Sequence, residues 1–368
     1  MLTTAEYMAR ALTLAERGRG RTSPNPMVGA VLVDDEGVVV GRGYHQFAGG
    51  PHAEIEALRD AGERARGATL YCTLEPCSHT GRTGPCAPRV AEAGVRRVVI
   101  ATGDPNPLVN GSGTALLRSS GIEVVAGVLE QQARNLNRAF FTVMRSRRPF
   151  VTVKVAVSAD ERIAAAPGTR TRMTGAAANR FIHRERAEID AIAVGSGTVL
   201  ADDPALTARG AYRVRPLVRV VFDSRLRTPP GAKLFSTLPA GPVIIVSTPS
   251  AAGAAPERVA DLVEAGAEVH CAPDAAPVIA ALEWLAGRGI SSLTVEGGAL
   301  LHRAFWDAGV VDRVQIFRTP VTLGPRGVKW LPGPLGLTAL TEIPLGADTL
   351  VEGYVHRTDR SDGGDCGG

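Results

Sequence analysis

His52 and Glu54 stand two residues apart, with Cys77 and Cys86 downstream, and these are the residues of this chain best suited to chemistry. One imidazole and two thiolates are zinc ligands. Three protein ligands leave a fourth position for water, which is the pattern of a catalytic rather than a closed structural site. Zinc lowers the pKa of a bound water to about 7. A carboxylate beside that position can move protons without ligating the metal. The set therefore points to metal-assisted hydrolysis. His79, between the cysteines, offers a fourth ligand and with it a structural site, but that arrangement leaves Glu54 without a purpose.

His52 opens a predicted helix over 52–64, so His52 and Glu54 project from its first turn. A strand over 68–73 precedes the loop that carries Cys77. The rest of the first half alternates in the same way, with an amphipathic helix at 6–17 in which Tyr7, Ala11, Leu14 and Ala15 recur near 3.6 spacing. Strands at 28–33 and 38–44 flank the turn Asp34-Asp35-Glu36-Gly37, and further strands fall at 95–101 and 122–125. That order predicts an α/β/α sandwich over residues 1–146, closed by a connecting helix at 130–145.

A second βα series fills 147–357. Strands are predicted at 150–157, 190–195, 217–222, 242–247, 267–271, 291–295, 312–318 and 349–356, and helices at 175–187, 256–264, 276–287 and 299–308. Such units place ligands at the carboxyl ends of their strands. The Gly/Asp-rich tail, 358–368, reads as disordered. A chain of 368 residues is long enough for these two domains.

Composition removes several classes of function. The net charge of +4 comes from basic residues interspersed with 37 acidic ones, with no Lys/Arg block and only 5% aromatics, which argues against nucleic acid as a partner. No apolar run approaches the roughly eighteen residues that span a bilayer, so no membrane association is expected. The N-terminus lacks the pattern of a signal peptide, and the expected location is the cytoplasm. Five scattered cysteines do not form a disulfide framework. Cys72 and Cys271, at predicted strands, read as small buried hydrophobes.

His52-Ala53-Glu54 with Pro76-Cys77 and a second cysteine follows the zinc nucleobase deaminase signature, in which the Glu shuttles protons. Here eight residues, 78–85, separate the cysteines instead of two. That loop, Ser78-His79-Thr80-Gly81-Arg82-Thr83-Gly84-Pro85, together with Thr22-Ser23-Pro24-Asn25-Pro26-Met27-Val28-Gly29, closely resembles the deaminase half of the bifunctional riboflavin-biosynthesis deaminase/reductase family. The resemblance implies a cytidine-deaminase-like fold and a free pyrimidine nucleotide as the small-molecule substrate, deaminated at its 2-amino group. It also implies that Asn25, His45 and His79 bind that substrate. Chemically, Asn25 offers a donor and an acceptor to a pyrimidine edge, and His79 or Arg82 could hold a phosphate. Without the resemblance, His45 would equally suit a half-exposed strand end.

The likeness continues through Lys154-Val155-Ala156, 190–204, Leu206-Thr207-Ala208-Arg209 and Val295-Glu296-Gly297-Gly298, which are similar to the family's reductase half. It implies a dihydrofolate-reductase-like α/β domain that uses NADPH to reduce the ribosyl group to ribityl. Residues implied for substrate are Lys154, Arg186, Leu206, Arg209 and Glu296. Those implied for the cofactor are Ala156, Arg172, Thr174, Thr198, Asp202, Ser224, Gly297 and Gly298. Independently of the family, Gly297-Gly298 after a strand and Gly195-Ser196-Gly197-Thr198 are loops whose backbone N–H groups can approach a phosphate. Either could also be an ordinary tight turn. Glu296 suits a hydrogen bond to a sugar or a core ion pair.

The family's Asp-Gly stands here as Asp160-Glu161. Its Ser-x-Trp-Ile-Ser/Thr run stands as Arg170-Thr171-Arg172-Met173-Thr174. A guanidinium can stack like a ring and bind phosphate. The replacements also leave open a deaminase whose second domain binds without reducing. Members of the family commonly self-associate, so a homo-oligomer is expected.

Overall fold

The structure, a computed structural model, describes residues 2–78, 84–106, 110–330 and 335–355. His79, Arg82, Cys366 and the tail at 358–368 lie outside those residues. The chain divides into two compact units, Met1–Pro149 with Leu285–Ser291, and Phe150–Trp284 with Ser292–Gly368.

The first unit runs α1 (Thr4–Ala15), β1 (Gly29–Val33), β2 (Val39–Tyr44), α2 (Ala53–Ala61), β3 (Thr69–Leu74), α3 (Cys86–Glu92), β4 (Arg97–Thr102), α4 (Ser112–Ser119), β5 (Glu123–Ala126), α5 (Glu130–Leu136) and α6 (Arg138–Ser146). Thr3 starts α1 with a reciprocal cap. Its side chain accepts from the Glu6 N–H (3.2 Å) while its own N–H donates to the Glu6 carboxylate (2.7 Å). The sheet order is β2-β1-β3-β4-β5, antiparallel on the β1 side and parallel from β3 onward.

Alternation along the strands builds the three layers. Ala30, Leu32, Leu70, Cys72, Val98 and Ile100 face one core with Ala53 and Ala57 of α2 and Val90 of α3. Val31, Val33, Tyr71, Val99 and Ala101 face the other with Tyr7, Met8 and Ala11 of α1 and Ala133 of α5. The expected α/β/α sandwich is thus present.

The second unit holds β6 (Phe150–Val157), β7 (Arg162–Ala164), α7 (Ala176–Glu188), β8 (Ala191–Gly195), α8 (Ser196–Asp202), β9 (Val218–Phe222), β10 (Val243–Ser247), α9 (Pro249–Ala254), α10 (Pro256–Glu264), β11 (Ala267–Cys271), α11 (Pro277–Gly287), β12 (Ser292–Glu296), α12 (Ala299–Asp307), β13 (Arg313–Arg318), β14 (Val328–Lys329), β15 (Leu337–Leu345) and β16 (Asp348–Val355). Nine strands form one sheet, β11-β10-β9-β8-β12-β6-β13-β16-β15, and β7 pairs with β14 in a separate ribbon. The large sheet is parallel from β11 to β13, and β16 and β15 close it antiparallel. Its inner strands, such as Val243-Ile244-Ile245-Val246, are buried without a break, as strands covered on both faces must be.

Two expectations need correction, and one alternative falls. The helix at 130–145 is two helices, because Asn137 leaves helical geometry at φ −109° and turns its side chain to Met27. Its carboxamide accepts from the Met27 N–H (2.8 Å) and donates to the Met27 carbonyl (2.9 Å), a pairing that competes with the helix. Cys271 is exposed rather than buried, since it ends the edge strand β11. His45 is 2% exposed, so it is no half-exposed strand end.

Candidate functional site

In the first unit the chemistry gathers at the start of α2. His52 is the residue before that helix, with extended backbone, and Glu54 lies in its first turn. Gly43 of β2 lets the helix come this close, since a Cβ there would run into the Ala53 carbonyl. From the other side, Cys77 follows β3 and Cys86 begins α3.

The His52 Nδ1 lies 3.2 Å from the Cys86 Sγ and 3.6 Å from the Cys77 Sγ, and the Cys86 N–H donates to the Cys77 sulfur at 3.4 Å. All three ligand atoms lie within 4.8 Å of one another. One nitrogen and two sulfurs at such separations can close on a tetrahedral zinc with its fourth position open. The donor set fits the metal.

The surroundings set the acidities. Hydrogen bonding from Cys86 draws the Cys77 thiol down to about 4, and His52 assists against burial. The same bond, with burial, pushes Cys86 up. Glu54 is 3% exposed, and burial raises its carboxyl to about 7, with the charge of His52 opposing.

His45 sits against His52, ring centroids 5.6 Å apart and edge on. Its Nδ1–H donates to the Pro51 carbonyl (3.0 Å), which leaves Nε2 to accept from the Asn25 amide (3.2 Å). Burial lowers the His45 pKa, so the ring is held neutral. The structure therefore brings Asn25, His45, His52, Glu54, Cys77 and Cys86 to one place.

Sequence reasoning missed Glu75. It is buried, and its carboxylate accepts from the N–H groups of Gly111 (3.0 Å) and Thr114 (2.9 Å) at the start of α4. The helix end favours a negative charge there. Glu75 thereby fixes the turn into Pro76-Cys77. An acid directly before Pro-Cys was the available signal.

In the second unit, Glu296 at the end of β12 receives Arg186 of α7 in a bidentate pair, 2.9 Å on both arms, and Lys154 of β6 at 3.5 Å. Burial alone would push the Glu296 carboxyl up, but Arg186 and Lys154 overcome it and hold it well below the usual carboxylate range. Arg186 also donates to the Thr207 carbonyl at 3.1 Å. Gln315 and Phe317 of β13 line the same small cavity as Lys154, Arg186 and Glu296. They were missed because single residues inside a strand carry no motif. Leu206 is buried with φ +51°, and the backbone N–H of Arg209 donates to His183 at 3.1 Å.

The cofactor candidates are partly assembled. Gly297 has φ +149°, a backbone few other residues adopt, and a Cβ on it would lie 3.2 Å from the Thr198 hydroxyl. A Cβ at Gly298 or Gly197 would meet no atom, so the starts of α12 and α8 open on space that a phosphate could enter. These residues fit a dinucleotide. Asp202 ends α8, where burial raises its pKa and the charge of Arg170 opposes the rise. Ala156 packs beside Phe317 and Phe181. Thr174 is tied to Asn179 (3.0 Å), while Arg172 and Ser224 are exposed. No helix among the described residues is long and apolar enough to cross a membrane.

Comparison with known proteins bears on both units. Residues 1–102 match the cytidine and deoxycytidylate deaminase zinc-binding region, and residues 149–355 match the RibD C-terminal domain. The riboflavin biosynthesis protein RibD of Aquifex aeolicus is 41% identical over 91% of this chain and 91% of its own length. That of Escherichia coli is 41% identical over 89% and 91%. Among solved structures, Acinetobacter baumannii RibD has a TM-score of 0.86 at 35% identity, covering 96% of this chain and 99% of its own. The Thermotoga maritima diaminohydroxyphosphoribosylaminopyrimidine deaminase/5-amino-6-(5-phosphoribosylamino)uracil reductase has a TM-score of 0.82 at 34% identity, covering 96% and 98%. With the zinc donor set in one unit and the reductase fold in the other, the chain belongs to the RibD family of zinc-dependent deaminases and NADPH-dependent reductases of riboflavin biosynthesis.

Proposed function

We propose that the first unit deaminates 2,5-diamino-6-ribosylamino-4(3H)-pyrimidinone 5′-phosphate at its 2-amino group, and that the second reduces the ribosyl chain of the product to ribityl. The observation that carries this reading is the convergence of His52, Cys77 and Cys86 on one point beside the buried Glu54. His52, Cys77 and Cys86 would hold zinc, and the metal would supply the acidity that makes water a nucleophile at neutral pH. Glu54 accepts one proton from the attacking water and delivers it to a ring nitrogen, then takes the remaining hydroxyl proton of the tetrahedral adduct and passes it to the amino group, which leaves as ammonia as the carbonyl forms. Asn25 presents its amide to the pyrimidine edge, oriented by the neutral His45. His79 belongs to the same substrate set and lies outside the described residues.

In the second unit NADPH, when bound, would supply the hydride. Gly297, Gly298 and Thr198 would give its phosphates backbone and hydroxyl donors, and Ala156, Arg172, Thr174, Asp202 and Ser224 would complete that side. Lys154, Arg186, Leu206, Arg209 and Glu296 take the sugar phosphate, with Glu296 accepting from ribose hydroxyls and the arginines donating to phosphate. The reading also places the enzyme in the cytoplasm as a homo-oligomer acting on free nucleotides. Light scattering tests the assembly.

The deciding experiment supplies the purified protein with the deaminated pyrimidine and NADPH. Loss of NADPH absorbance is expected. Its absence, with ammonia release intact from the diamino compound, would mean that the second unit does not reduce.

A further inference from the structure

We propose a second ligand site in the reductase unit, outside its reaction chemistry, that binds a phosphorylated compound bearing a planar ring. The site is a cavity of about 780 Å³ at the carboxyl ends of β6 and β13, walled by the ribbon β7–β14. That volume is within the range of small-molecule pockets, roughly 300–1,000 Å³.

Strand geometry separates this cavity from the site at Glu296. In the β6–β13 pairing Lys154 stands opposite Gln315, Ala156 opposite Phe317 and Val157 opposite Arg318. Side chains alternate between faces. Lys154, Ala156, Gln315 and Phe317 therefore share the face covered by α7, where Phe317 packs on Ile182. Val157, Ile316 and Arg318 point the other way and line the new cavity. None of the residues assigned above to substrate or cofactor lines it.

Three observations indicate an anion. Arg162, Arg318 and Lys329 all line the cavity, and none of them forms an ion pair among the described residues. Arg162 and Lys329 are also register partners in the β7–β14 ribbon. Like charges directly opposite in a ribbon destabilise it, and a phosphate between them would reverse the sign. Two carboxylates, Asp160 and Glu161, line the cavity as well, against three cations. Asp160 is already spent on the N–H groups of Leu323 (3.0 Å) and Gly324 (2.7 Å) and the Ser158 hydroxyl (2.7 Å). Glu161 is exposed.

The second, independent feature is Thr319, which lines the cavity at 4% exposure with a hydroxyl that has no partner among the described residues. A buried hydroxyl without a partner costs free energy that a ligand oxygen would recover. The Arg162 Nε is buried and unpartnered in the same way. Trp330 supplies the apolar wall, fixed by its indole N–H donating to His302 at 2.9 Å, and a planar ring can lie against it.

The chain has three tryptophans, at 284, 306 and 330. Replacing Trp284 and Trp306 by Phe leaves Trp330 as the reporter of its own site. Uridine 5′-monophosphate is titrated as the probe, with inorganic phosphate as a second arm. The expected result is a saturable change in Trp330 emission with the nucleotide, and weaker binding of phosphate alone. Affinity should fall about tenfold in Arg318→Gln and severalfold in Thr319→Val, with NADPH oxidation unchanged in both. No saturable change, or the same affinity in Arg318→Gln, would overturn the proposal. So would an emission change that follows protein concentration instead of ligand, since the occupant would then be a second copy of the chain.

Discussion

The two catalytic regions of this chain are assembled in different ways. The zinc site draws on two short stretches, 52–54 and 77–86, and its ligand atoms lie within 4.8 Å of one another. The proposed reductase site draws single residues from β6, α7, β12 and β13, around a buried carboxylate held by two cations. A metal imposes strict geometry on few residues, so its ligands cluster in sequence. A sugar phosphate and a dinucleotide would be gripped along their length, so the residues proposed for them are scattered. The first site depends on donors for one ion, the second on a charge balance inside the fold.

That contrast can be broken from either side. The largest expected effect is at the zinc ligands. Cys86→Ser should strip zinc, as seen by elemental analysis, and take ammonia release below detection while NADPH oxidation on supplied deaminated substrate continues. Parallel loss of both activities would show that the units do not work independently.

Next comes Glu296→Gln. Removing this carboxylate strands Arg186 and Lys154 in a buried site, and breaking such a pair costs about 3–5 kcal/mol. The denaturation midpoint of the second unit should fall and reduction should be lost, with zinc content unchanged. The pH dependence follows from the same group. Its folded pKa lies below the ordinary 4.5, so its contribution to stability is complete above that value and is lost as the pH falls through the folded pKa. Acid unfolding monitored by circular dichroism should lose that component in Glu296→Gln.

The smallest effect concerns a departure from the family pattern. Glu161 occupies the position where the family has glycine and takes φ +62°. A side chain there costs roughly 1–2 kcal/mol, partly offset by the chain entropy that glycine would lose. Glu161→Gly should stabilise the second unit by up to about 1 kcal/mol in chemical denaturation. Destabilisation would show that the Glu161 side chain makes a compensating interaction.

The same difference governs what was legible in the sequence. The helix start at His52, both sandwich cores and most strands follow from periodicity, because burial on one or two faces writes directly into residue type. Asn137 escaped notice because its break is made by a bond to Met27, 110 residues away. The strand β15 escaped because its side chains are mostly exposed and leave no alternation. Cys271 was misread because sheet order, which puts β11 at the edge, is a tertiary property. The influence of Arg170 on Asp202 has no local signature either.

The measurement that bears most directly on the central claim is Glu54→Gln, assayed for zinc, for ammonia and for NADPH oxidation in one preparation. Full zinc content, no ammonia from the diamino nucleotide, and normal reduction of supplied deaminated substrate are expected. Loss of zinc, or continued ammonia release, would contradict the role of Glu54 as the proton carrier beside the metal.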